Sequence, residues 1–102
     1  MTPGLSKKEL DEITQVFRTF PDIQEAVLFG SRATGTFKPG SDVDIALKGQ
    51  VTLQTLARIK ALLEEESSLP YLFDIVGYRA IETLALKEHI DKHGKLIYRH
   101  YG

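Results

Sequence analysis

A glycine-serine pair, followed at a fixed distance by two alternating aspartates, constrains this chain more than any other feature. Gly30-Ser31 closes the apolar run Ala26 to Phe29, and ten residues separate Ser31 from Asp42. Asp42, Asp44 and Ala46 then alternate with Val43, Ile45 and Leu47. A two-residue period reads as a strand, and successive strand side chains point to opposite faces. Asp42 and Asp44 therefore share one face, with Cα atoms roughly 6.5–7 Å apart, twice the strand rise. Two carboxylates that close repel each other and call for a cation between them. Carboxylate oxygens suit Mg²⁺ or Mn²⁺, with water and substrate phosphates completing the octahedron. Cysteine is absent, and the three histidines (His89, His93, His100) all fall near the C-terminus, which argues against zinc.

Gly30-Ser31 supplies the other half of the constellation. A small residue at a strand end lets backbone approach a ligand closely. The N–H groups of a turn or helix N-terminus then bind an anion. The Ser31 hydroxyl can add a hydrogen bond to a phosphate oxygen, and Arg32 can pair with a phosphate or hold an aspartate in place. Taken singly, each part has a plainer explanation: a turn, a solvated strand face, a surface cation. Together they put phosphate donors at the end of one strand and paired carboxylates on the next. That arrangement describes phosphoryl or nucleotidyl transfer from a nucleoside triphosphate, in which one or two metal ions steady the attacking and leaving oxygens.

With these residues in view, the chain resembles the minimal nucleotidyltransferases, the smallest members of the DNA polymerase beta-like superfamily. The resemblance rests on Gly30-Ser31, the ten-residue spacer and Asp42-Val43-Asp44. It extends to the leading helix, the helix after the second strand, and the later run Tyr71-Leu72-Phe73-Asp74-Ile75-Val76. It implies a third carboxylate at Asp74, as metal ligand or general base. The family commonly reads Gly-Ser-Arg-Ala-Arg-Gly after the first strand; here Thr34 stands in place of the second Arg.

Length and composition bound the rest. The 102 residues fit one domain spanning 1–102, able to bury a small core. A formal net charge of −1 provides no broad attraction to nucleic acid or to an anionic membrane. No apolar run nears the roughly 20 residues that span a bilayer. The first residues, Met-Thr-Pro-Gly-Leu-Ser-Lys-Lys-Glu, carry no apolar signal region, so the expectation is a cytoplasmic protein.

Along the chain, Ser6-Lys7-Lys8-Glu9 has the capping-box pattern, with Leu5 and Leu10 as a hydrophobic staple. Leu10, Ile13, Phe17 and Phe20 recur at helical spacing, and Pro21 sets a limit, predicting a first helix over Lys7 to Phe20. Glu25 to Phe29 reads as the first strand and Ser31 to Thr34 as a short helical turn ended by Gly35. Phe37-Lys38-Pro39-Gly40 is a turn-rich loop whose Lys38 reads first as a solvated cation and second as a phosphate contact. Val43 to Leu47 is expected to run antiparallel to the first strand. Val51 to Glu66 reads as a helix with Leu53, Leu56, Ile59 and Leu63 on one stripe, Arg58 and Lys60 off it. Glu64-Glu65-Glu66 reads as a solvated run, with a surface for a basic partner as the alternative. Asp74 interrupts an apolar strand, Tyr71 to Val76, and a buried carboxylate there needs a cation, a hydrogen bond or water. Arg79 to His93 reads as the last helix, with Ile81, Leu84, Ala85 and Ile90 inward and Gly94 as its cap. His89 and His93 stand four apart, but no third ligand is near, so the pair is not read as a metal site. Leu96 to Tyr98 reads as a short extended tail, with Tyr98 and Tyr101 available to the core or to a partner.

The fold expected is a small α/β (α+β) domain, a mixed sheet flanked by helices. The resemblance makes it a polymerase beta-like nucleotidyltransferase fold. It further implies that Asp42, Asp44 and Asp74 hold one or two Mg²⁺ ions (or Mn²⁺). Gly30 and Ser31 would then seat the phosphates of ATP, and Arg32 would support the developing charge. Small proteins of this family resemble antitoxins paired with HEPN-domain toxins, which they silence by transferring AMP to a tyrosine. The leading expectation is thus a protein adenylyltransferase antitoxin acting on a HEPN toxin, within a homo- or hetero-oligomer and without direct contact to nucleic acid. Two other expectations stand beside it: a nucleotidyltransferase acting on a small hydroxyl substrate, and a non-catalytic antitoxin that neutralises by binding alone.

Overall fold

The computed structural model describes residues 4–100. The capping box forms: Glu9 N–H donates to Ser6 Oγ at 3.1 Å, and Ser6 N–H donates to Glu9 Oε1 at 2.9 Å. It starts α1 (Lys7–Arg18), which stops two residues before Phe20. Thr19 ends it, folding its hydroxyl onto the Val16 carbonyl at 2.7 Å, and Pro21 disfavours helix at the residue before it. β1 (Ile23–Phe29) leads into the one-turn helix α2 (Ser31–Thr34), and β2 (Val43–Gly49) returns antiparallel to β1. Thr52 caps α3 (Leu53–Glu65) by accepting from Thr55 N–H at 3.1 Å. β3 (Phe73–Gly77) follows, then a 3-10 turn at Tyr78–Ala80, α4 (Leu84–His93) and β4 (Lys95–Arg99).

The four strands form one mixed sheet in the order β3-β2-β1-β4. β1 pairs antiparallel with both β2 and β4, while β2 and β3 are parallel. A parallel pair needs a crossover, and α3 provides it. On one face, Ile13 and Phe17 of α1 and Ile59 and Leu63 of α3 pack with Ala26, Leu28, Val43, Ile45 and Phe73 into the main core. The opposite face is thinner. There Val27, Phe29 and Ala46 meet Ile90 of α4, with Leu86 and Val76 beside them. Strand alternation puts Asp44 and Asp74 on this thinner side, so the main core holds no carboxylate.

Several local expectations are corrected. The last helix does not start at Arg79: residues 81–83 are extended, and α4 begins at Leu84. An extended segment breaks the 3.6-residue period, so the inward stripe restarts as Leu86 and Ile90. Leu84 and Ala85 consequently face out, Leu84 being 70% exposed. Leu53 is likewise not core. It occupies the first position of α3 and stays 82% exposed, so the buried stripe is carried by Ile59 and Leu63. Leu96 to Tyr98 is no loose tail: β4 extends the sheet beside β1, and Tyr98 is buried with its ring 5.7 Å from that of Phe17. Tyr101 lies outside the described residues. Asp74 is exposed, because β3 is a sheet edge, and so bears no burial cost. Among the described residues no helix is long and apolar enough to cross a membrane.

The acidic run at the end of α3 is not merely solvated. Glu64 accepts from the buried Phe73 N–H at 2.6 Å and pairs with Lys60 at 3.1 Å. Lys60 in turn donates to the Phe73 carbonyl at 2.6 Å. The two side chains thus occupy both backbone groups where edge strand β3 begins, a protected edge. The Phe73 N–H bond holds the Glu64 carboxyl below its ordinary range, with Lys60 adding to the effect. A group with a lowered pKa stabilises the fold above its unfolded value and stops doing so as pH falls through the folded one. Glu64→Ala should destabilise the protein by about 1–3 kcal/mol in urea unfolding at pH 7, the cost of stranding a buried donor. The difference from wild type should shrink in acid.

Candidate active site

The site is built where β1 ends. Gly30 adopts φ 74°, a left-handed value that favours glycine. A Cβ at this position would collide with Asp44 Oδ2 and lie 3.1 Å from Asp44 Cγ. The turn backbone therefore rests directly on the Asp44 carboxylate, and no other residue type fits between them. The Gly30 carbonyl accepts from Ala33 and Thr34 N–H at 3.1 and 3.2 Å, curling Ser31–Thr34 into α2. Gly35, at φ 83°, closes the turn onto the Ser31 carbonyl. The first N–H groups of such a turn lack an intrahelical partner. Among the described residues nothing hydrogen-bonds the Ser31 hydroxyl.

Asp44 lies opposite Phe29 on β1 and beside Asp74 on β3, in register with each. Asp42 sits two residues earlier, just before β2 begins. Neighbouring strands are about 4.8 Å apart, so the three carboxylates share one face of the sheet across two strands. Asp44 is half-buried, whereas Asp42 and Asp74 are exposed. Burial pushes the Asp44 carboxyl above its ordinary range, and the charges of Asp74 and then Asp42 push it the same way, with His89 opposing. Among the described residues, no three metal-binding side chains close into a ready-made cage. Mg²⁺ does not require one, since it keeps water and binds through one or two carboxylates plus substrate phosphates. The donor set, its mutual repulsion and the adjoining phosphate turn fit that ion.

Arg32 has another task than the one expected of it. Its side chain is buried, with Nη1 donating to the Gly4 carbonyl at 2.9 Å and Nη2 to the Ser41 carbonyl at 3.0 Å. The guanidinium carbon lies 5.0 Å from the Phe37 ring centroid and 4.7 Å from that of Tyr71. Tyr71 donates to Glu9 Oε2 at 2.9 Å, which continues the chain of contacts into the α1 cap. Arg32 thus bolts the start of the ten-residue loop to its end, at the residue before Asp42. Both η nitrogens are spent on backbone, away from a phosphate or an aspartate. Ser41 closes the same loop with Lys38: its Oγ accepts from Lys38 N–H at 2.8 Å, and its N–H donates to the Lys38 carbonyl at 2.9 Å. Lys38 itself is exposed.

His89 is the residue that sequence reading missed. Its Nε2 accepts the Gly30 N–H at 3.0 Å, across 59 positions of chain. The i, i+4 spacing of His89 and His93 was weighed only as a metal pair and set aside for want of a third ligand. Their rings lie 5.4 Å apart and tilted at 47°, and Nε2 of His89 is engaged by backbone. No local pattern could reveal a contact made by docking α4 on the sheet.

Residues 11–101 match the family described as polymerase beta, nucleotidyltransferase. The chain belongs to this family. Among solved structures, this nucleotidyltransferase is similar to a toxin-antitoxin crystallised with AMP-PNP: TM-score 0.74, 26% identity, covering 89% of this chain and 73% of the other. It shares its fold with a chain of the toxin-antitoxin MntA-HepT at TM-score 0.70, 21% identity and coverage of 93% and 74%. It does so too with a chain from the tri-AMPylated Shewanella oneidensis HEPN toxin in complex with MNT antitoxin, at TM-score 0.67, 22% identity and coverage of 89% and 70%. No curated protein matches the sequence. The fold and family anticipated from Gly30-Ser31 and the spaced aspartates are thereby borne out.

Two measurements bear on this geometry. A raised carboxylate pKa means the folded state holds its proton longer, so stability falls as pH climbs from the ordinary carboxylate range through the elevated one. Asp44→Asn should therefore raise the melting temperature of the metal-free protein at pH 7 by a few degrees, on the order of 0.5–1 kcal/mol, and flatten that pH dependence. Arg32→Ala should cost about 3 kcal/mol or more, since charge-assisted hydrogen bonds contribute roughly 1.5–3 kcal/mol each. Arg32→Lys should not restore it in chemical unfolding, because an ammonium cannot bridge two carbonyls while stacked between rings.

Proposed function

We infer that the protein is a Mg²⁺-dependent adenylyltransferase antitoxin, which transfers AMP from ATP to a tyrosine of a HEPN-domain toxin. The observation that carries this reading is the placement of Asp42, Asp44 and Asp74 on one face of the sheet, with Asp44 against the Gly30-Ser31 turn. Supporting it are the similarity to a toxin-antitoxin holding the ATP analogue AMP-PNP, and the shared fold with an MNT antitoxin whose HEPN partner is AMPylated.

Ser31 N–H and Oγ would take the terminal phosphates as uncharged donors. Asp42 and Asp44 would hold Mg²⁺, which when bound supplies charge neutralisation at the α-phosphate and the departing pyrophosphate. Asp74, exposed on the edge strand, is open to an incoming acceptor. It accepts the proton of the attacking tyrosine hydroxyl as the oxygen bonds to the α-phosphorus. The bond from that phosphorus to the bridging oxygen breaks, pyrophosphate leaves, and AMP remains on the tyrosine. In-line attack needs no covalent work from the protein, only position and electrostatics.

The open, thinly covered face of the sheet suits a protein acceptor better than a small molecule. A small hydroxyl substrate needs walls that bury most of its surface. The test is direct. The protein, ATP labelled on its α-phosphate, Mg²⁺ and a purified HEPN partner should give a labelled partner whose mass rises by one AMP. Asp42→Asn with Asp44→Asn should lower the rate by at least about 10³-fold, the scale of losing electrostatic stabilisation at the reacting phosphate. Label appearing only in a small molecule would replace the acceptor. Unlabelled partner, neutralised equally by both proteins, would leave binding alone as the activity.

A further inference from the structure

We propose that His89 is a positioning residue for the phosphate turn, setting nucleotide affinity through the backbone of Gly30 without touching the nucleotide. The inference rests on the nucleotide site read above and adds a residue that the aspartate and glycine-serine signature does not contain.

The β1–β2 ladder ends at the pair Phe29–Asp44, so the Gly30 N–H has left the sheet. A half-buried N–H needs an acceptor, and no strand can offer one there. His89 Nε2 supplies it at 3.0 Å. The contact uses the lone pair of Nε2 as acceptor. The Phe29 ring meets the imidazole nearly edge-on, with centroids 6.3 Å apart and planes at 77°, which fixes the direction of Nε2. Two contacts thereby act on one residue: the Asp44 carboxylate stands against Gly30, and His89 holds its N–H. The next residue is Ser31. Any rotation of the Gly30 backbone would swing the Ser31 N–H and hydroxyl together. A glycine at φ 74° is the most permissive joint in the chain at the point where the site most needs a fixed one.

The position of His89 on α4 also explains why this helix matters to the site. α4 packs on the thinner face through Ile90 and Leu86, one residue after His89 and three before it. The histidine converts that packing into a fixed turn on the far side of β1. It acts on ground-state phosphate binding, so its loss should weaken nucleotide binding rather than remove the carboxylate chemistry.

Two amides of different reach separate this role from general packing. The Oε1 of a glutamine can take the place of Nε2, whereas an asparagine is too short to reach Gly30. Binding of AMP-PNP with Mg²⁺, measured by isothermal titration calorimetry, should weaken about tenfold in His89→Asn and His89→Phe, a loss of about 1.4 kcal/mol. His89→Gln should stay within about threefold of wild type, on the order of 0.7 kcal/mol. Melting temperatures of the Asn and Gln variants should agree within a few degrees, which a purely structural role would not couple to a difference in affinity. Equal affinity in the Asn and Gln variants would overturn the role of His89 while leaving the nucleotide site intact. Absence of binding by the wild-type protein would overturn the nucleotide reading itself.

Discussion

Everything in this molecule turns on the close approach of a backbone to a charge. The end of β1 lies so near the Asp44 carboxylate that only glycine fits between them. That approach demands a positive φ at Gly30, which takes the chain out of the sheet and into the α2 turn. It also demands that Asp44 stay half-buried beside two further carboxylates, an arrangement that is electrostatically unfavourable while nothing positive is bound. The strain of the site is thus concentrated in one contact, and the surrounding structure holds it in place.

Three separate devices do so. The main core fixes the register of β1 against β2 and of β2 against β3, which aligns Phe29, Asp44 and Asp74 side by side. Arg32, at the start of the intervening loop, holds its end through the Ser41 carbonyl and ties both to the segment before α1 through the Gly4 carbonyl. Its buried charge is met by carbonyl dipoles and by the faces of Phe37 and Tyr71, with Glu9 nearby through the Tyr71 hydroxyl. From the other face, α4 brings His89 to the Gly30 N–H. The division is sensible physically. The thick face of the sheet carries hydrophobic burial, and the thin face stays open for charged chemistry that water and a large acceptor must reach.

Most of the fold was legible because its signals are local. The capping box at Ser6 needs only four consecutive residues, and it forms. The alternation from Asp42 to Leu47 is decided by strand geometry, and the second strand lies where that alternation puts it. The misreadings have a common origin. Leu53, Leu84 and Ala85 fit a helical stripe on paper, but the stripe does not say where a helix starts or where its neighbours end. A shift of a few residues in the start of α4 was enough to turn Leu84 outward. Glu64 was read as a solvated charge and Arg32 as a phosphate or aspartate partner, because the groups they hold are backbone atoms of distant elements. β4 was underestimated because a short strand has no identity apart from the neighbour it pairs with.

By itself the sequence determined the family, the mixed α/β class and the residues proposed for the chemistry. Glycine's freedom, the two-residue period of strands and the repulsion of paired carboxylates act within a dozen positions, and each leaves a pattern in the order of residues. Tertiary structure alone decided which face stays open, that Asp74 stands in register with Asp44, that Arg32 works as an internal brace, and that His89 reaches Gly30. Those facts depend on how elements dock, and docking follows the fit of whole surfaces. A contact spanning 59 residues has no period and no neighbouring signal, so only the folded chain can state it.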